Sequence, residues 1–181
     1  LSEPVEHAQH LTPQDMKRFR SDGVIASMQP TSIYDDAAWA YKRVNDSVLE
    51  GTYIFRSLLD DGATLTFGSD WTVTSLNPLM GIYTAVTRRS RDGKNPDGWY
   101  PDEKITVEEA LRCYTINSAY AGFQEDKLGT LETGKLADFV VLSKDLRVIN
   151  PNDILKTKVV RTVVGGKDVY VQPEIKGRTW H

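Results

Sequence analysis

The chain of 181 residues is 40% hydrophobic, enough apolar material for one packed domain or one and a small second. Its net charge of −3, without any Lys/Arg cluster, excludes nucleic acid as the main partner. No apolar run approaches the ~20 residues of a membrane span, no basic-then-apolar leader opens the chain, and the single Cys113 excludes a disulfide framework, so the expectation is a cytoplasmic protein without a membrane partner.

Val5 lies in a short strand-like stretch that ends on Glu6-His7-Ala8-Gln9. Thr12-Pro13-Gln14-Asp15 then supplies an N-cap, a proline at the first helical position and an acid in the first turn. This predicts a helix to about Asp22, with Met16 and Phe19 inward and Gly23 as its stop. Residues 24–28 read as a buried strand closed by Gln29-Pro30. Residues 35–45 are helix-permissive, and 51–59 predict a helix with Ile54, Phe55, Leu58 and Leu59 apolar, ended by Gly62. Residues 63–67 alternate bulky and β-branched side chains, as a buried strand does, and Asp70 follows at once. A carboxylate at the mouth of an apolar strand is costly unless it is hydrogen-bonded or binds a cation; alternatively, Ser69 and Asp70 open a turn or cap the next helix.

Strands separated by helices and glycine stops predict an α/β chain with a parallel sheet, whose ligands sit at the carboxyl ends. That rule picks out three polar clusters: 7–9, 29–32 and 69–71. A helix is expected over 79–89, followed by the Gly-, Pro- and Asp-rich stretch 91–101, a pocket lid or wall or else a plain surface excursion. Thr106 and Glu109 form a capping box for a helix with Ala110, Leu111, Tyr114 and Ala121 buried, and Cys113 is expected to be a core residue. The chain then turns to short strands: 139–142, and 159–164 paired with 167–171 across Gly165-Gly166, a two-residue hairpin turn. A boundary near 122–127 follows, with a loose tail from 173.

The ordered series Glu6-His7-Ala8-Gln9, Ser27-Met28-Gln29-Pro30, Phe67-Gly68-Ser69-Asp70-Trp71, Thr115-Ile116-Asn117 and Gly129-Thr130-Leu131-Glu132-Thr133-Gly134-Lys135-Leu136-Ala137-Asp138 resembles the C-terminal part of a metal-dependent amidohydrolase. The closest likeness is to the YtcJ-like branch, which includes N-substituted formamide deformylases. The resemblance implies the last third or so of a distorted (β/α)8 TIM-type barrel over 1–125, the C-terminal share of a small β-sandwich over 126–172, and a tail over 173–181. It implies that His7 and Asp70 ligate a divalent metal, zinc being the cation such ligands suit, and that Asp70 is the catalytic carboxylate handling the proton of the attacking water. Gln29, Ser32 and Trp71 are then expected to contact a small amide-type substrate, with Ser32 standing where many relatives carry His. His10 matches no family motif and reads as an exposed flanking residue, as His181 reads as terminal.

The histidines and bridging residue expected on earlier barrel strands have no counterpart here, so the chain is expected to be a fragment whose partner is the missing N-terminal part of the same protein, with homo-oligomerisation as a further option. Two alternatives remain open from sequence: a catalytically inactive truncated product, and a carboxylate-pair barrel hydrolase using Glu6 and Asp70.

Overall fold

The computed structural model describes residues 3–173. Of the loose tail expected from 173, residues 174–181, His181 included, lie outside the described residues. Two separate three-stranded sheets organise the chain. The first holds β1 (Pro4–Glu6), β2 (Ile25–Met28) and β3 (Thr64–Phe67) in that order, all parallel. In register, Pro4 lies opposite Ile25 and Ile25 opposite Thr64, so all three strands start at the same level and end within one residue of one another. β2 and β3 are mostly buried on both faces, β3 beneath the helices Val107–Tyr114 and Ile116–Ala121 at its outer edge, while β1 is exposed.

Helices α1 (Pro13–Ser21), α2 (Ser32–Asp36), α3 (Asp46–Glu50) and α4 (Phe55–Asp61) fill the crossovers. α1 has the expected cap: the Thr12 hydroxyl accepts from the Asp15 amide. The helix-permissive stretch 35–45 and the start of the helix expected over 51–59 are corrected by the structure, while Gly62 ends the latter as expected. The first is a short α2 followed by a single 3-10 turn, and Gly51 closes α3 instead of opening a helix. The reason is a close approach: a Cβ on Gly51 would lie 1.9 Å from the Leu11 carbonyl oxygen, whose own amide donates to Gly51 O at 2.9 Å. The chain is thereby tied to the segment after β1, and α4 starts only at Phe55.

After β3, α5 (Pro78–Thr87) is capped by the Asn77 side chain and ends one residue before Arg88, which is left-handed at φ 52°. The capping box at Thr106 and Glu109 forms and starts α6 (Val107–Tyr114). Thr115, at φ −121° and ψ −90°, breaks the helix from α7 (Ile116–Ala121). The core joins Met28, Leu65 and Phe67 of the sheet to Phe55, Leu58, Ile82, Ala110 and the buried Cys113. α7 closes the outer edge of β3 with side chains: Asn117 Nδ2 donates to Leu65 O at 2.8 Å, and Ser118 Oγ to Phe67 O at 3.3 Å.

The second sheet is antiparallel, β4 (Phe139–Leu142), β5 (Val159–Val164) and β6 (Lys167–Val171), with β5 central. Gly165 and Gly166 close its hairpin with φ of 56° and 75°, the paired left-handed geometry that a two-residue turn requires. Arg161 and Asp168 pair across it, Nη2 to Oδ2 at 2.7 Å. Among the described residues no helix is long and apolar enough to cross a membrane.

Candidate active site at the strand ends

Three short strands finishing together deliver three side chains to one end of the sheet. His7 follows β1, Gln29 follows β2, and Asp70 follows β3 after Gly68 and Ser69. The expected clustering of 7–9, 29–32 and 69–71 at the carboxyl ends is thus what the register produces. Two of the three turn on left-handed backbone: His7 at φ 68°, with Ala8 at 40°, and Asp70 at 52°. Non-glycine residues in this region carry strain of about 1–3 kcal/mol each, and such residues concentrate at functional sites.

His7 is exposed, and its Nδ1 lies 2.8 Å from Gln29 Oε1. Gln29 is buried at 3% exposure, and its Nε2 donates to Glu6 Oε1. The second oxygen of Glu6 accepts from Ser27 Oγ at 2.9 Å, across the Glu6–Ser27 register pair. Asp70 is half-buried, and its carboxylate has no hydrogen-bond partner among the described residues. Its carbonyl accepts from the amides of Val73 at 2.7 Å and Thr74 at 3.3 Å, and the Thr74 hydroxyl bonds Ser69 O, which fixes the turn that presents the side chain. Trp71, Val73 and Leu76 are exposed just beyond it, an apolar rim. Ser32 lies on α2 behind the strand ends, within reach of the Tyr53 hydroxyl.

A second polar cluster went unread in the sequence. Asp36 Oδ2 accepts from Tyr53 Oη at 2.7 Å and from Gln9 Nε2 at 3.0 Å, while the Tyr53 amide donates to Gln9 O at 3.0 Å. Burial, with Asp36 as acceptor, holds the Tyr53 phenol well above its ordinary range. Arg88 is fully buried and donates from Nη1 to Tyr53 O at 2.8 Å and from Nε to Trp99 O at 2.6 Å, with the Phe55 and Trp99 rings 5.5 and 5.9 Å away. Burial pulls its guanidinium down to about 10, opposed by Glu103 and Tyr53. His10 is exposed as expected, but its Nδ1 is 2.8 Å from Thr52 Oγ1. The 91–101 stretch is anchored: Trp99 N donates to Arg88 O at 2.7 Å, and Arg89 Nε to Pro96 O at 2.7 Å. A cavity of about 660 Å3 opens elsewhere, between α6–α7 and β4, with Tyr114, Ser118, Leu128 and Val140 in its wall. None of the strand-end residues lines it, so the strand ends, with their convergent polar groups, are the better candidate site.

A sequence model of the amidohydrolase family matches residues 2–170. The chain belongs to the amidohydrolase family. Among its relatives, Protein LONG AFTER FAR-RED 3 of Arabidopsis thaliana is 41% identical over 92% of this chain and 28% of that protein. The YtcJ protein of Bacillus subtilis (strain 168) is 30% identical over 91% of the chain and 31% of its own length. The N-substituted formamide deformylase of Arthrobacter pascens is 36% identical over 61% of the chain and 20% of the enzyme. The resemblance read from the motifs therefore holds, to a metal-dependent amidohydrolase branch that includes the last two. Among solved structures, a metal-dependent hydrolase from Pyrococcus horikoshii OT3 superposes with a TM-score of 0.72 at 25% identity, over 82% of this chain and 30% of that one. The chain spans less than a third of the length of each of these amidohydrolases and related proteins.

The donor set suits the metal this family implies, in part. His7 offers an imidazole whose Nδ1 is already engaged, and Asp70 offers an unpaired carboxylate at the same sheet end. A catalytic zinc takes three protein ligands. Among the described residues no group of three or more His, Cys, Asp and Glu side chains could hold a metal ion.

Proposed function

We propose that this chain carries the His7–Asp70 part of the hydrolytic centre of a metal-dependent amidohydrolase, one that cleaves the C–N bond of a small non-peptide amide, of the formamide type. The reading is carried by one observation: His7 and Asp70, an imidazole and a partnerless carboxylate, follow the carboxyl ends of two parallel strands, β1 and β3, that flank β2 in one sheet, in a chain of this family. On this reading residues 1–125 are part of a (β/α)8 barrel and 126–172 part of a sandwich, the remainder of both coming from sequence outside this chain. The small share of each relative that the chain spans supports it, and so does β1, an outer strand with the exposure of one awaiting a neighbour.

His7 and Asp70 would hold a divalent cation, and imidazole with carboxylate suits zinc. When bound, the metal supplies Lewis acidity, which brings the pKa of water from 15.7 towards ~7 and polarises a carbonyl. Asp70 takes the proton of the attacking water and returns it to the leaving nitrogen, a role that requires a carboxylate free of protein partners. Trp71 and Ser32 would contact the substrate, with the apolar rim at Val73 and Leu76 facing its apolar part. The rival carboxylate-pair hydrolase finds less support, because both oxygens of Glu6 are committed, one to Gln29 and one to Ser27. In the intact protein, Asp70→Asn is expected to lower amide hydrolysis by about 10²–10⁴-fold with the fold retained. An Asp70→Asn enzyme with undiminished turnover on N-substituted formamides would remove Asp70 from this role.

A further inference from the structure

The Glu6–Gln29–His7 chain of hydrogen bonds can be oriented by elimination. The Glu6 carboxylate only accepts, and one of its oxygens is already taken by the Ser27 hydroxyl at 2.9 Å. The Gln29 amide must therefore turn its NH2 to Glu6 Oε1, which leaves its carbonyl Oε1 facing His7 Nδ1 at 2.8 Å. A carbonyl cannot donate, so His7 must carry a proton on Nδ1, and its neutral ring therefore has the lone pair on Nε2. Gln29 is 3% exposed and both polar ends of its amide are occupied by protein, so it has little freedom to flip. Strand register sets the first bond, since Glu6 lies directly opposite Ser27.

We infer that Gln29 and Glu6 are positioning residues that act through His7: they hold its imidazole as the Nδ1–H tautomer and so make Nε2 the metal-binding atom. The inference rests on the proposed role of His7 and deepens it. Groups that fix the tautomer of a ligating histidine typically change metal affinity by 10–100-fold when removed. The assignment accounts for a glutamine whose amide is buried against protein groups at the very end of β2.

The test is the tautomer of His7 in the intact, metal-stripped protein, read from 15N chemical shifts of the imidazole, with the His7 signal identified by its loss in His7→Gln. The wild type is expected to show Nδ1–H. Gln29→Met, of similar length without polar atoms, is expected to shift His7 to Nε2–H and to weaken zinc binding by 10–100-fold in chelator competition. The exchanged pair Glu6→Gln with Gln29→Glu reverses the first bond, putting the donor at position 6, and keeps an acceptor facing His7, so it is expected to restore Nδ1–H, a rescue that a general packing role would not give. An Nε2–H tautomer in the wild type, or a Gln29→Met protein with unchanged tautomer and unchanged zinc affinity, overturns the inference. Because the tautomer is read without metal or substrate, a protein that keeps Nδ1–H but hydrolyses no amide would contradict the functional proposal and not the relay.

Discussion

The positions of His7 and Asp70 after β1 and β3 were legible because parallel strands carry their polar clusters at the carboxyl ends. Their left-handed backbones were not, since glycine marks such positions in a sequence and neither residue is glycine. Arg88 was illegible for another reason. Arg88-Arg89 reads as ordinary positive charge at a helix end, yet Arg88 is buried against carbonyls 35 and 11 residues away, distances no local pattern encodes. Cys113, read as a core thiol, carries a testable consequence. Burial, with Glu109 adding to it, pushes the thiol from 9.0 up to about 12. Above pH 9 the unfolded chain therefore releases a proton that the folded chain retains, so stability falls as pH rises from 9 towards about 12, by up to about 1.4 kcal/mol per pH unit. Urea titrations between pH ~8.5 and ~10 measure it, below most tyrosine ionisation. The slope is expected to shrink in Cys113→Ala, and an identical slope would place the thiol outside the core.

Elements with strong end signals were read correctly and those held by distant contacts were not. Thr106 and Glu109 satisfy each other's backbone amides within one turn, so the start of α6 was visible locally. The parallel strands were visible because burial on both faces leaves a continuous apolar run. The helix expected over 51–59 forms but starts only at Phe55: Gly51 was taken for its start, whereas the lack of a Cβ there serves a contact with Leu11 from forty residues earlier. That contact, with the Tyr53–Gln9 bond and the shared Asp36, ties down the segment carrying His7. Gly51→Ala, which places a Cβ 1.9 Å from Leu11 O, should force the two segments apart and cost about 1–3 kcal/mol in urea unfolding. A change within error would show that the segments separate freely and that the His7 turn is held by its own bonds to Gln29.

At the scale of the whole molecule, the two sheets and the change of character between them were readable from hydrophobic period alone, parallel and helix-rich before 122, antiparallel after 139. Both sheets are small and leave outer strands. α7 caps the outer carbonyls of β3 through Asn117 and Ser118, which no pattern in the sequence announced, while β1 keeps one neighbour among the described residues. Val140, Val169 and Tyr170 leave apolar surface on the second sheet. On the proposed reading, His7 and Asp70 are two of the three ligands a catalytic zinc takes, and the rest of the centre comes from sequence beyond this chain. The measurement that bears on this most directly is zinc content together with formamide turnover, taken on the 181-residue chain and on the intact protein. The intact protein is expected to hold metal in a fixed ratio and to turn substrate over, while the chain alone holds it below stoichiometry and shows no turnover; stoichiometric zinc and turnover by the chain alone would contradict the account.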